Sequence, residues 1–333
     1  MKKTLFIFWV LTSVFAKAQH KVIVDKNGQG DFTSIQTAIN SLADTSSADR
    51  IIYIKAGVYD EKIFIEKNHV ILEGENREKT VITQSIARDE FRCSHKDDWG
   101  AATMNVNGDD VTIKNITIKN TFGFDFVEEK NIDCFLDTIT HKKRITKTGH
   151  QMALRTIKAT RLKALNCSFV SLGGDTVSPW NVENGMFYFK NCSMEGGVDF
   201  YCPRGWAWAE DCQFYAYGGP ASVWHDGSKN VDSKSVMVHC SFKGYDGFLL
   251  GRYHRDAQMF FVNCAFADNM KDSAVYHVPN STATPFGQRI YFYNCHRSSG
   301  DFSWFKDHLP DGITEKNITI NWVFHNTWNP ENQ

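Results

Sequence analysis

The sequence predicts an all-β protein: a right-handed parallel β-helix with a short N-terminal capping helix. Three observations carry this. First, six of the nine cysteines recur in similar settings, as in Asn166-Cys167-Ser168-Phe169, Asn191-Cys192-Ser193-Met194 and Asp211-Cys212-Gln213-Phe214. His239-Cys240-Ser241-Phe242, Asn263-Cys264-Ala265-Phe266 and Asn294-Cys295 continue the series, at spacings of 25, 20, 28, 24 and 31 residues. Second, the intervening segments are short and β-branched or aromatic, as in Val111-Thr112-Ile113 and Met259-Phe260-Phe261-Val262, with turn residues between them. Third, helical periodicity is nearly absent after residue 45. A repeat of this length is one supersecondary unit that buries its apolar face by stacking on its neighbours. Equivalent residues then lie ~4.8 Å apart. The six cysteines are expected as free thiols in one buried stack, acting as small hydrophobes. A sandwich or propeller would show more regular repeats or tight hairpin turns.

The elements follow in chain order. Lys2 and Lys3 precede an apolar run, Leu5 to Phe15, and then Ala16-Lys17-Ala18, the pattern of a secretory signal peptide over residues 1–18. Residues 19–333 are read as a single β-helix domain. Cleavage would remove three of 37 basic residues and none of 38 acidic ones, leaving a net charge of −4. With no basic block, nucleic acid is excluded as a partner. No later stretch is apolar enough to span a bilayer, so the expected product is secreted or periplasmic, soluble and monomeric. Val22 to Val24 reads as a strand and Asn27-Gly28 as a turn. Ser34 reads as the N-cap of a helix whose apolar stripe is Ile35, Ala38, Ile39 and Leu42. That helix would cover the open end of the coil stack. Residues 89–100 and 124–148 lack a clear period and read as long loops over a cleft. Cys93, Cys134 and Cys202 fall outside the ladder. A Cys93–Cys134 disulfide between the two loops is one option that the sequence leaves open.

A solenoid offers a long flank on which a polymer can lie. Asp175 stands eight residues after Cys167 and Asp199 seven after Cys192. The matching offset puts the two carboxylates one above the other on adjacent coils. Such a pair drives its pKa values apart, so that one acts as an acid while the other stays ionised. Arg252 could hold the ionised one. Stacked acids could instead bind calcium, or simply face solvent. The nine tryptophans exceed what a core would usually demand and suggest sugar platforms.

These residues resemble the pectin methylesterases, carbohydrate esterases built on a right-handed parallel β-helix. The resemblance runs from about Val22 to Phe324. It rests on Asp25-Lys26-Asn27-Gly28-Gln29-Gly30-Asp31-Phe32, Gly57-Val58-Tyr59-Asp60-Glu61, Ala102-Thr103, Asn115-Ile116-Thr117, Gly174-Asp175-Thr176, Gly197-Val198-Asp199-Phe200 and Leu250-Gly251-Arg252. It implies acyl transfer without a metal or cofactor. Asp199 would attack the methyl ester of a galacturonate unit in pectin or a related acidic plant polysaccharide. Asp175 would serve as acid and then base, and Arg252 would orient Asp199.

The chain departs from the family at the oxyanion donors. Gly174 replaces the glutamine before the first aspartate. The other glutamine falls on His150 or Gln151, depending on the alignment of His150-Gln151-Met152-Ala153-Leu154-Arg155. Gln151 is the expected donor, since only one of the two can face the site. Arg204 and His254 are candidates for binding a substrate carboxylate or replacing the lost donor. Trp180, Trp206, Trp208 and Trp224 are candidate sugar platforms. The leading reading is an exported pectin methylesterase. The alternatives are an esterase on another pectic or acetylated polysaccharide and a noncatalytic polysaccharide-binding β-helix.

Overall fold

The computed structural model describes residues 21–226, 230–279 and 286–332. The signal-peptide reading of residues 1–18 lies outside them. The chain winds into a parallel β-helix with three sheets running along its axis. The first sheet has ten strands, from Lys21–Val24 to Gln288–Tyr293. The second has nine, from Gly57–Asp60 to His296–Arg297. The third comes in two runs. One contains Ile63–Ile65, Ala102–Val106, Met152–Thr156 and Val177–Ser178, and the other Val223–Trp224, Gly251–Tyr253 and Tyr276–His277. Isolated pairings of Tyr201 with Val177 and with Val223 join the two runs.

The cysteine ladder forms as expected. Phe169 pairs with Met194, Met194 with Phe214, and Phe214 with Phe242, so equivalent residues stack coil on coil. The six thiols are buried and free. Each donates to a carbonyl of the preceding coil, as from Cys192 to Ala164 at 3.5 Å and from Cys295 to Phe261 at 3.3 Å. The residue before each cysteine explains the recurring Asn-Cys pair. Asn115, Asn166, Asn191, Asp211, His239, Asn263 and Asn294 all have φ between 49° and 57°. This left-handed corner is tolerated best by Gly, Asn and Asp. The asparagines also bond one another: Asn166 donates to Asn115 at 2.8 Å and Asn191 to Asn166 at 3.1 Å.

The entry helix is Ile35–Ser41, capped by Ser34, whose hydroxyl accepts from the Thr37 amide. Ile35, Ala38 and Ile39 are buried against the first coil, while Leu42 lies just beyond the helix and packs on the same core. Glu61 completes the cap. Its carboxylate accepts from the Ser34 hydroxyl at 2.7 Å and from the Ile35 and Gln36 amides at 3.0 Å. An acid there also complements the helix dipole.

The two insertions are more ordered than their sequence suggested. Residues Arg88–Phe91 form a helical turn, and Lys130–Asp133 pairs with Lys142–Ile145 in an antiparallel hairpin. A Cys93–Cys134 disulfide ties them together. At the C-terminus, Ile318, Val323, Phe324 and Trp328 pack on Tyr188, Trp206, Trp208, Val236 and Phe260, covering the outer face of the first sheet.

Candidate active site

The third sheet leaves an outward-facing row beside the stacked carboxylates. Leu154, Val177, Tyr201 and Val223 point inward and are fully buried. Their successors therefore point outward. In parallel register Arg155 pairs with Ser178, Trp224 with Arg252, and Arg252 with Tyr276.

Asp175 and Asp199 lie just before this row. Val177 pairs with Tyr201, so the two aspartates, each two residues earlier, occupy the same point on adjacent coils. Both adopt left-handed backbone, φ 58° and 48°. Such a conformation costs on the order of 1–2 kcal/mol per residue. It is held here by the Asp175 amide donating to Val198 O at 3.1 Å and the Asp199 amide to Ala221 O at 2.7 Å. Arg252 arrives from two coils further on. Its Nε donates to both Asp199 oxygens at 3.0 and 3.1 Å, and its Nη2 to Oδ2 at 2.6 Å. Burial pushes the Asp199 carboxyl above its ordinary range, and neighbouring Asp175 adds to this; Arg252 pulls the other way without fully offsetting it. Arg252 itself is desolvated, but its bonds to Asp199 prevail and raise its pKa.

His150, not Gln151, faces Asp175. The Gln151 side chain is fully buried. Its Oε1 accepts from the Gly123 amide at 2.9 Å and its Nε2 donates to Lys147 O at 2.5 Å. Both ends are engaged, so it ties the 124–148 insertion to the coil. The expectation that Gln151 faces the site is therefore corrected in favour of its neighbour. His150 Nε2 stands 3.6 Å from Asp175 Oδ1, and the His150 side chain is 41% exposed. His150 pairs in parallel with Gly174. A Cβ at Gly174 would lie 2.9 Å from Val198 Cγ1 and 3.2 Å from His150 Cδ2. Glycine there leaves room for the imidazole.

The aromatic candidates divide. Trp224 lies beside Arg252, with the His254 ring 5.2 Å away. Trp180 stacks on two guanidiniums, Arg155 at 4.7 Å and Arg204 at 4.1 Å. Arg204 also lies 3.9 Å over Trp224. Trp206 and Trp208 are elsewhere. They lie in the first-sheet strand Trp206–Glu210, buried beneath the C-terminal segment. Trp206 Nε1 donates to Asp232 at 3.3 Å. Both are packing residues, contrary to their expected place in the cleft.

Sequence reasoning missed Arg155, Ser178 and Asp98. Arg155 donates to Ser178 Oγ at 2.7 Å and to Asp98 at 3.1 Å. Arg88 and Arg92 also bond Asp98, at 2.8 and 3.1 Å. Burial would raise the Asp98 carboxyl, but the three guanidiniums prevail and hold it below its ordinary range. Burial, and then repulsion from Arg204, bring Arg155 down to about 10. Only the Ala-Leu-Arg motif hinted at Arg155; Asp98 lies in an insertion without pattern. Among the described residues no group of three or more His, Cys, Asp or Glu could hold a metal.

Chemically, a buried carboxylate gripped by an arginine, with a second carboxylate stacked on it, can separate a nucleophile from an acid–base group. A family model described as pectinesterase matches residues 21–154. A probable pectinesterase 67 of Arabidopsis thaliana is 24% identical over 99% of this chain and 91% of its own length. Putative pectinesterase 11 of the same plant is 27% identical over 76% of this chain and 68% of its own. Among solved structures, pectin methylesterase PemA from Erwinia chrysanthemi superposes with a TM-score of 0.71 at 21% identity, covering 95% of this chain and 99% of that one. Carrot pectin methylesterase gives 0.69 at 18%, covering 91% and 92%. The fold is thus that of these solved pectin methylesterases. Over residues 21–154 the chain is similar to the pectinesterase family.

Proposed function

We propose that the protein is an exported pectin methylesterase in which Asp199 is the nucleophile and Asp175 the acid–base group. The observation that carries the reading is the Asp199–Arg252 clasp beside Asp175. Three hydrogen bonds from Arg252 fix one carboxylate and favour its charged form against the burial that raises its pKa. Asp199 attacks the ester carbonyl and forms an acyl-enzyme anhydride. Asp175 gives its proton to the departing methoxide, then takes one from the water that cleaves the anhydride.

His150 takes the donor role that Gly174 cannot fill. Its imidazole stands between solvent and Asp175, and its Nε2 can donate to a developing oxyanion or to Asp175 itself. The exposed flank and the aromatic residues Trp180 and Trp224 suit a polysaccharide, with His254 at the same wall. Residues 1–18 direct export and residues 19–333 form the working domain as a monomer; no described helix is long and apolar enough to cross a membrane.

The test is methanol release from highly methylated pectin. Wild type should release methanol, and Asp199→Ala should lose at least about a thousandfold in rate, in line with losses of groups acting in the transition state. A folded wild type that releases none would sink the methylesterase reading.

A further inference from the structure

Asp199 depends on a loop that has few bonds of its own. Its backbone is left-handed, and its amide donates to Ala221 O at 2.7 Å. Ala221 ends the segment Tyr217-Gly218-Gly219-Pro220-Ala221, between the second-sheet strand Gln213–Ala216 and the third-sheet strand Val223–Trp224. Two glycines make this segment pliable, and Gly219 takes φ 96°. Pro220 has no N–H to give. The Tyr217 and Ser222 amides donate to Gly196 O and Leu249 O; between them, no loop N–H has a partner among the described residues. Ladder bonds therefore do not fix the carbonyl on which Asp199 depends.

Two tyrosines from later coils fix it instead. The Tyr245 hydroxyl donates to Gly219 O at 3.0 Å and the Tyr276 hydroxyl to Pro220 O at 3.1 Å. The consecutive carbonyls of Gly219, Pro220 and Ala221 thus accept from Tyr245, Tyr276 and the Asp199 amide in turn. Tyr245 is 37% exposed, so water can replace its bond; Tyr276 is half-buried. Tyr276 also stands in parallel register with Arg252. Desolvation opposes the Arg252 charge, while Asp199 and then Tyr276 favour it. One side chain therefore serves both halves of the clasp: the loop that holds the Asp199 backbone and the arginine that grips its carboxylate. We infer that Tyr276 is a positioning residue for the nucleophile, with Tyr245 as a weaker brace on the same loop. This deepens the methylesterase reading and rests on it. Tyr276 moves no proton and makes no bond to the substrate. Its hydroxyl keeps Pro220 and Ala221 in place, and so keeps Asp199 in the fork of Arg252. Attack tolerates little slack, since ~1 Å of misplacement costs about a hundredfold in rate.

The experiment measures turnover and local order separately. Tyr276→Phe removes the hydroxyl and leaves the ring. Loss of one hydrogen bond should lower kcat about 3- to 10-fold. KM on methylated oligogalacturonate should stay within about twofold of wild type, because ground-state binding is untouched. A looser Arg252 favours the charged form of Asp199 less, so the acid limb of kcat/KM should move to higher pH. Tyr245→Phe should lower kcat less and leave the limb in place. The Asp199 amide supplies a readout that needs no turnover. Its hydrogen exchange should quicken in Tyr276→Phe while thermal unfolding stays the same. Unchanged kcat and unchanged exchange in Tyr276→Phe would overturn the inference. So would a loss confined to KM, which would make Tyr276 a substrate contact. If Tyr276→Phe fails to fold, Tyr245→Phe must show quicker Asp199 exchange or the inference falls. A wild type that releases no methanol, but whose Asp199 exchange depends on Tyr276, would sink the esterase reading and keep the brace. Methanol release with kcat and exchange independent of Tyr276 would do the reverse.

Discussion

Gly174 provides a sharp test of how the site is packed. Consider Gly174→Gln, which writes back the residue that pectin methylesterases carry before the first aspartate. An added Cβ would lie 2.9 Å from Val198 Cγ1, 3.0 Å from Val198 O and 3.2 Å from His150 Cδ2. The first distance is shorter than packed carbons tolerate, and Val198 is β-branched and cannot turn aside cheaply. Val198 O also accepts the Asp175 amide, so moving it moves Asp175, the proposed acid–base group. Overpacking of this kind costs about 1–3 kcal/mol. At ~2–4 °C per kcal/mol for a domain somewhat smaller than this one, the melting temperature should fall by roughly 2–12 °C. A displacement of ~1 Å at the reacting groups costs about a hundredfold in rate. Both are measured on one preparation, by thermal unfolding and by methanol release from methylated oligogalacturonate. Gly174→Ala should show most of the stability loss, because the clash begins at Cβ. Adding His150→Ala to Gly174→Gln should recover part of it. A Gly174→Gln variant as stable as wild type and faster would refute the reasoning, by showing that the space is open and the glycine merely a lost donor.

Three further outcomes are expected. Arg252→Gln removes the group that opposes the burial of Asp199, so the Asp199 pKa rises further and the acid limb of kcat/KM moves to higher pH. Arg252→Lys should move it less, and an unmoved limb would mean that another group titrates there. Thiol titration of the native protein should find none of the seven free cysteines reactive until it is denatured, because all are buried; for Cys202, burial also pushes the pKa up to about 12. Asn166→Ala should cost about 2–3 kcal/mol in urea unfolding, from the left-handed corner and two side-chain bonds, and Asn166→Gly less. Equal losses for Ala and Gly would show that backbone conformation is not what asparagine supplies.

Much of this molecule was legible in its sequence, because a solenoid turns spacing along the chain into stacking in space. The Cys167 to Cys295 ladder, the Ser34 cap and the shared offset of Asp175 and Asp199 are local patterns, and each forms as read. Arg252, although two coils away from Asp199, was reachable through its motif. What the tertiary structure decided depends on where a side chain points once coils and insertions are packed. Gln151 and His150 are adjacent, and strand alternation says only that they diverge; the Gly123 amide and Lys147 carbonyl, both brought in by other segments, claim Gln151 and leave His150 to the site. Trp206 and Trp180 look equally suited to a sugar by sequence. A C-terminal segment more than a hundred residues away buries the first, while the second stacks on Arg155 and Arg204. The Asp98 cluster and the Arg204 clamp join residues tens of positions apart through charge and packing, and no periodicity records such contacts.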